Sequence, residues 1–254
     1  MTGVRVEKAG EVAVLRMTHG RANALDTGLC RELVERLDEA GYAGRRAVVL
    51  TGQGGMFSAG VDLVRVRDGG APYVREFLPA LSDAFLALFG FAGPVVAAVN
   101  GHAIAGGGVL AAACDRRIMN ASHGRIGWPE LTVGVPFPLT ALEILRCAYG
   151  THRLAELTGL GESYVGDEAM AMGLVDDLAA PEAVESRAIE VAARLAAAPA
   201  GAYAHTKAQI HRPFDERIGE QRAADDAYVE QMWTDPDTLA PVDAYVRRTL
   251  GRSG

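Results

Sequence analysis

Twice along this chain a short run of β-branched and small apolar residues stops at a glycine turn and gives way to small-residue sequence. Ala47 to Thr51 halts at Gly52, followed by Gly54, Gly55 and the stretch Phe57-Ser58-Ala59-Gly60-Val61-Asp62. Pro94 to Val99 halts at Asn100-Gly101, and Ile104-Ala105-Gly106-Gly107-Gly108 then leads into Val109 to Cys114. Runs this short and apolar are buried strands bounded by turns, so the pair predicts two strand-to-helix corners in one sheet system. Glycine at such corners lets a ligand approach the main chain closely. Singly, either cluster reads as a tight turn; together they can aim backbone N–H groups at one point.

The remaining pattern places strands early and helices late. Val4 to Glu7 and Val12 to Met17 read as a hairpin turning at Gly10-Glu11. Asp26 caps a helix whose Leu29, Leu33, Val34 and Leu37 share a face, with Gly41 at its end. An irregular stretch to about Gly70 precedes a helix marked by Tyr73, Phe77, Leu81 and Leu88. From Phe137 onward the reading is mainly helical: 139–148, 153–157, 167–172, 182–198, about 216–233 and 242–250. The expectation is an α/β core over residues 1–195 and a helical C-terminal subdomain over 196–254.

Composition removes several classes of function. The 254 residues are 49% hydrophobic and 22% charged, which is the balance of a folded chain. A net charge of −7 without a Lys/Arg cluster repels a phosphate backbone, so no nucleic-acid partner is expected. Cys30, Cys114 and Cys147 are too few and scattered for a disulfide framework or zinc cluster, and the histidines show no ligand spacing, so no metal is expected. The first fifteen residues carry no signal-peptide pattern. Pro94 to Cys114 is nearly uncharged, but Asn100 and four glycines make it a strand, turn and helix rather than a lipid span. A cytoplasmic protein without membrane contact is expected.

Ser58 precedes a glycine, with His102 and Asp115 elsewhere, which raises a nucleophile elbow. That motif needs glycine two residues before the serine, and Met56 stands there. No P-loop lysine follows either glycine cluster.

Taken together, Arg21 to Leu25, Ala47 to Thr51, Phe57 to Asp62, Pro94 to Gly108, Cys114-Asp115, Gly127 to Glu130, Thr158-Gly159 and Ala169 to Val175 resemble the enoyl-CoA hydratase/isomerase family, the crotonases. The resemblance covers nearly the whole chain. It implies a ClpP/crotonase-like core of repeated ββα units and an acyl-CoA thioester as substrate. It implies coenzyme A as part of that substrate rather than as a resident cofactor. By it the N–H groups of Val61 and Gly107 form an oxyanion hole, with Gly107 near the positive end of a helix. Arg21, Ala22, Ala24 and Ala59 line the CoA end, Arg21 facing a phosphate. Tyr245 and Arg248 stand where relatives carry Phe and Lys against the nucleotide, although an ordinary amphipathic helix explains them equally well. The resemblance further implies a homotrimer or a dimer of trimers.

Glu130, in Gly127-Trp128-Pro129-Glu130, reads locally as a loop glutamate. The resemblance makes it the general base, since an apolar pocket can raise its pKa into a useful range. Hydratases carry a second glutamate three residues after the oxyanion glycine, where this chain has Leu110. One carboxylate suits a double-bond shift from the 3- to the 2-position better than water addition, and 132–138 also resembles the isomerase branch. Asp62 and Asp115 read as structural, and Glu143, on the following helix, is the outside candidate. The alternatives are hydration, another crotonase reaction, or a non-catalytic crotonase-fold binding protein.

Overall fold

The computed structural model describes residues 3–250; the outermost residues of both expected regions, 1–2 and 251–254, lie outside the described residues. The expected hairpin is present as β1 (Val4–Ala9) and β2 (Val12–Met17), antiparallel about Gly10, whose φ is 63°. Asp26 accepts the Leu29 N–H at 2.8 Å and starts α1 (Thr27–Tyr42), which leads to β3 (Ala47–Thr51) and the short β4 (Met56–Ser58). α2 (Leu63–Phe89) is followed by β5 (Val95–Val99), β6 (His102–Ile104), α3 (Gly106–Ala112) and β7 (Arg116–Asn120). Next come β8 (Ile126–Gly127), the single turn α4 (Glu130–Val133), α5 (Leu139–Tyr149), α6 (Thr151–Gly159) and β9 (Ser163–Tyr164). α7 (Gly166–Ala171), β10 (Asp177–Ala179), α8 (Val184–Ala196), α9 (Ala200–Thr234) and α10 (Pro236–Leu250) complete the chain.

The strands form two sheets rather than one. The larger has the order β1-β2-β3-β5-β7-β10, parallel from β2 onward; the smaller has the order β4-β6-β8-β9. Each glycine corner therefore carries the chain from the large sheet to the small one, β3 to β4 and β5 to β6. Asn100 ties the two corners together: its Oδ1 accepts the Gly52 N–H at 2.9 Å and its Nδ2 donates to the Gly54 carbonyl at 2.9 Å.

Strand alternation divides the core. Ala13, Leu15, Val48, Leu50, Val95 and Ala97 face α1, α2 and α3, while Val12, Val14, Val49, Val96 and Ala98 face the small residues Ala188 and Ala192 of α8. α9 packs instead against α2 and α5, and α10 packs on α2, where Asp243 pairs with Arg67 at 3.4 Å.

Three further expectations are corrected. The stretch before Gly70 is helical: α2 begins at Leu63, capped by Asp62, and kinks where Gly70 takes φ 56° and ψ −152°. α9 begins at Ala200, not near Glu216, because its polar first half buries little besides Lys207 and so carries no apolar period. Strands also continue late, since β9 and β10 lie among the helices. No helix among the described residues is long and apolar enough to cross a membrane.

Candidate active site

The cavity lies where the two corners meet α4 and α10, and has a volume of about 280 Å³. Three laced segments build its first wall. Ala59 donates its N–H to the Ala22 carbonyl at 3.0 Å, Leu25 to the Gly60 carbonyl at 2.8 Å, and Asp62 to the Leu25 carbonyl at 2.9 Å. Asn23, at φ 46°, donates from Nδ2 to the Phe57 carbonyl at 3.0 Å, and Ser58 returns a bond from Oγ to the Asn23 carbonyl at 2.8 Å. Ser58 is thus buried as a turn-holding group. Leu25 and Val61 form a parallel bridge whose bonds are made by the residues flanking Val61. Successive N–H groups of extended chain point to opposite edges, so the N–H of Val61 faces away from Leu25.

The second wall is the start of α3. Gly60 must be glycine, because its φ is 82° and a Cβ would stand 2.7 Å from the Ile104 carbonyl. This close approach sets the two corners against each other. Ala105 takes φ 52° and ψ −126° just before the helix, a strained conformation for a residue with a Cβ. Its N–H to the Gly127 carbonyl at 2.8 Å and its own carbonyl, accepting Val109 N–H at 3.1 Å, hold it there. As the first residues of a helix, Gly106 and its neighbours have N–H groups without an intrahelical acceptor.

The cavity is lined by Val61, Ala105, Gly106 and Val109, and by neither Gly107 nor Leu110. Gly107, expected in the oxyanion hole, and Leu110, three residues after it, thus lie behind this lining. Gly107 is turned toward Ser58, whose carbonyl oxygen would lie 2.3 Å from a Cβ there, and Leu110 is fully buried in the core behind. The position facing the site is Val109, which is equally apolar.

Glu130 opens α4 and lines the third wall. Its Oε2 is shut off from solvent and has no hydrogen-bond partner among the described residues. Desolvation pushes its pKa from an ordinary 4.5 up to about 8. Asp62 also lines the cavity, but its carboxylate caps α2 through the Arg65 N–H at 3.1 Å and pairs with Arg65 Nε at 3.3 Å. Glu143 is turned away from the cavity into ion pairs with Arg217 at 2.9 Å and Arg146 at 3.4 Å. Asp115 accepts the Val95 N–H at 2.7 Å and pairs with Lys207 at 2.9 Å.

Of the residues expected at the CoA end, Ala22, Ala24, Ala59 and Tyr245 line the cavity. Arg21 is exposed beside them, outside the lining, and the Arg248 guanidinium lies 5.6 Å from the centre of the Tyr245 ring. Phe85 falls in the stretch Val61 to Leu88 that the sequence places along an acyl pocket, whereas sequence reasoning missed Val135, Phe137, Trp233 and Val246 on the same wall. These residues come from the connection between α4 and α5, from α9 and from α10, and each reads as ordinary core in its own segment. No group of three or more His, Cys, Asp or Glu among the described residues could hold a metal ion.

The family model described as Enoyl-CoA hydratase/isomerase matches residues 7–249. A short-chain-enoyl-CoA hydratase of Clostridium acetobutylicum is 28% identical over 98% of this chain and 96% of its own length. The mitochondrial enoyl-CoA delta isomerase 1 of Rattus norvegicus is 31% identical over 87% of this chain and 78% of its own. Among solved structures, human mitochondrial delta3-delta2-enoyl-CoA isomerase superposes with a TM-score of 0.95 at 28% identity, covering 99% of this chain and 100% of that one. The ClpP/crotonase-like fold expected from the sequence is the fold found.

Proposed function

The chain belongs to the enoyl-CoA hydratase/isomerase family, and from that premise we propose that it shifts the double bond of a 3-enoyl-CoA to the 2-position by moving one proton with one carboxylate. The observation that carries this reading is the isolation of Glu130. It is the carboxylate on the cavity wall with an unpartnered, desolvated oxygen, and the wall position after the Gly106 turn is the hydrocarbon Val109.

In this mechanism the thioester carbonyl sits between the N–H groups of Val61 and Gly106, the latter in place of the expected Gly107. Ionised Glu130 takes a proton from C2, and the electron pair moves into the enolate of a conjugated dienol, its charge resting on the thioester oxygen. The two main-chain donors stabilise that charge where water is excluded. As the thioester carbonyl re-forms, the C1–C2 pair of the dienolate becomes the C2–C3 double bond, and the C3–C4 pair takes the proton that Glu130 returns to C4. No water is consumed, and the carboxylate ends as it began. A raised pKa suits this task, because the group must both take and give the proton near neutrality. Hydration would require a water held for attack at C3, and Val109 offers it no polar contact.

The nucleotide end of CoA would rest on Ala22, Ala24 and Ala59, with Arg21 and the Tyr245–Arg248 pair supplying charge and a ring face. The deciding experiment compares the purified protein on 3-enoyl-CoA and 2-enoyl-CoA. Isomerisation much faster than hydration is expected, with a loss of about a hundredfold or more in turnover in Glu130→Gln. Hydration that is fast and survives Glu130→Gln overturns the assignment in favour of a hydratase with another base.

A further inference from the structure

Trp233 is the penultimate residue of α9, yet it reaches the cavity wall and is only 3% exposed. Its indole stacks on Phe77 of α2 at 6.2 Å between ring centroids, and Phe77 stacks in turn on Tyr73 at 5.5 Å. Its Nε1–H donates to the Pro136 carbonyl at 3.2 Å, and Pro136 itself lines the cavity. The ring is therefore held from behind by an aromatic column and at its edge by the segment that follows the Glu130 turn. None of these contacts involves the CoA-side residues 22–24 or 59–61.

With that N–H spent on Pro136, Trp233 and its wall neighbours Phe85, Val135, Phe137 and Val246 offer hydrocarbon and ring faces only. An acyl chain gains from such a wall in proportion to the methylenes it buries. A hydroxyl or carboxyl at the chain's far end would lose its water without finding a partner. We propose that Trp233 ends the acyl channel, so that it sets the longest chain accepted and restricts the substrates to thioesters with an unsubstituted alkyl tail. This rests on the acyl-CoA reading of the site, but not on which reaction follows.

The test uses saturated acyl-CoA thioesters, which cannot isomerise or hydrate, from butyryl-CoA to hexadecanoyl-CoA, with calorimetry as the readout. For the native chain, affinity should climb by about fourfold per methylene and then break off at the length that meets the indole. In Trp233→Ala the climb should continue through at least two further methylenes, raising the preference for the longer chain more than tenfold relative to the native profile. Trp233→Phe keeps an aromatic ring on Phe77 and should move the break by less, which guards against a misfolded Ala variant. The native protein also reports directly, since Trp128 and Trp233 are its two tryptophans and Trp128 does not line the cavity. Chains at the break length should change the fluorescence that butyryl-CoA leaves unaltered. Identical break lengths in all three proteins, or equal binding of an ω-carboxyl acyl-CoA, overturn the role of Trp233 while leaving acyl-CoA binding intact. Failure of every acyl-CoA to bind the native protein overturns both this role and the reading it rests on.

Discussion

At the scale of single residues, the site turns on what surrounds Glu130. Burial raises its pKa from 4.5 to about 8, so most of the free protein carries it neutral at pH 7. The base form gains ground as pH rises, and kcat/KM for isomerisation is expected to climb through about pH 8 before levelling. Stability runs the other way. A carboxyl whose folded pKa lies above its unfolded value contributes stability that is intact below the unfolded value and lost as pH rises through the folded one. The melting temperature of the native chain should therefore fall relative to Glu130→Gln between about pH 4.5 and pH 8, as followed by calorimetric scans. Across the cavity, Val109→Glu places a second carboxylate on the wall and should produce measurable hydration of 2-enoyl-CoA, whereas Leu110→Glu should destabilise the core and yield none. Equal gains from both substitutions would remove the distinction between the two positions. That distinction was not legible in the sequence. The turn could be read from its glycines, but the residue at which α3 starts depends on Ala105 adopting a positive φ, for which alanine gives no signal.

At the scale of elements, the corners, the hairpin and α1 could be read because each has a strong local cause. They are apolar strands cut by glycine, and a helix capped by Asp26. The small sheet could not, since its strands run from two to three residues and show no alternation. α9 was half legible, because its second half has apolar residues at helical spacing and its first half is a polar helix with one buried lysine. That lysine has a use. Lys207 pairs with Asp115 at 2.9 Å, and Asp115 also accepts the N–H that begins β5, so α9 is fastened to the strand leading into the second corner. Both side chains are largely shielded from water. Lys207→Met is expected to cost about 3 kcal/mol in denaturant unfolding, because it leaves a carboxylate without its counter-charge. A loss under half a kcal/mol would mean that water already neutralises Asp115.

At the scale of the whole molecule, α9 has 35 residues, of which Lys207, Ile218, Val229 and Trp233 are buried. Ile210 and Tyr228 stand 59% and 62% exposed on it. On that exposed surface we propose that copies of this chain meet as the homotrimer or dimer of trimers that the family resemblance implies. Light scattering should give three or six times the chain mass; a monomer that still binds acyl-CoA would remove the proposed assembly. The division of labour in the cavity also bears on how such a chain can change over generations. The proposed charge-stabilising donors belong to the main chain at Val61 and Gly106, and most replacements of side chains leave main-chain donors in place. On the proposed mechanism the reaction is set instead by the side chains around them. Valine and glutamate codons can differ by a single base, so a lineage could pass between moving a proton and adding water through one mutation at position 109, without rebuilding the fold that binds the thioester.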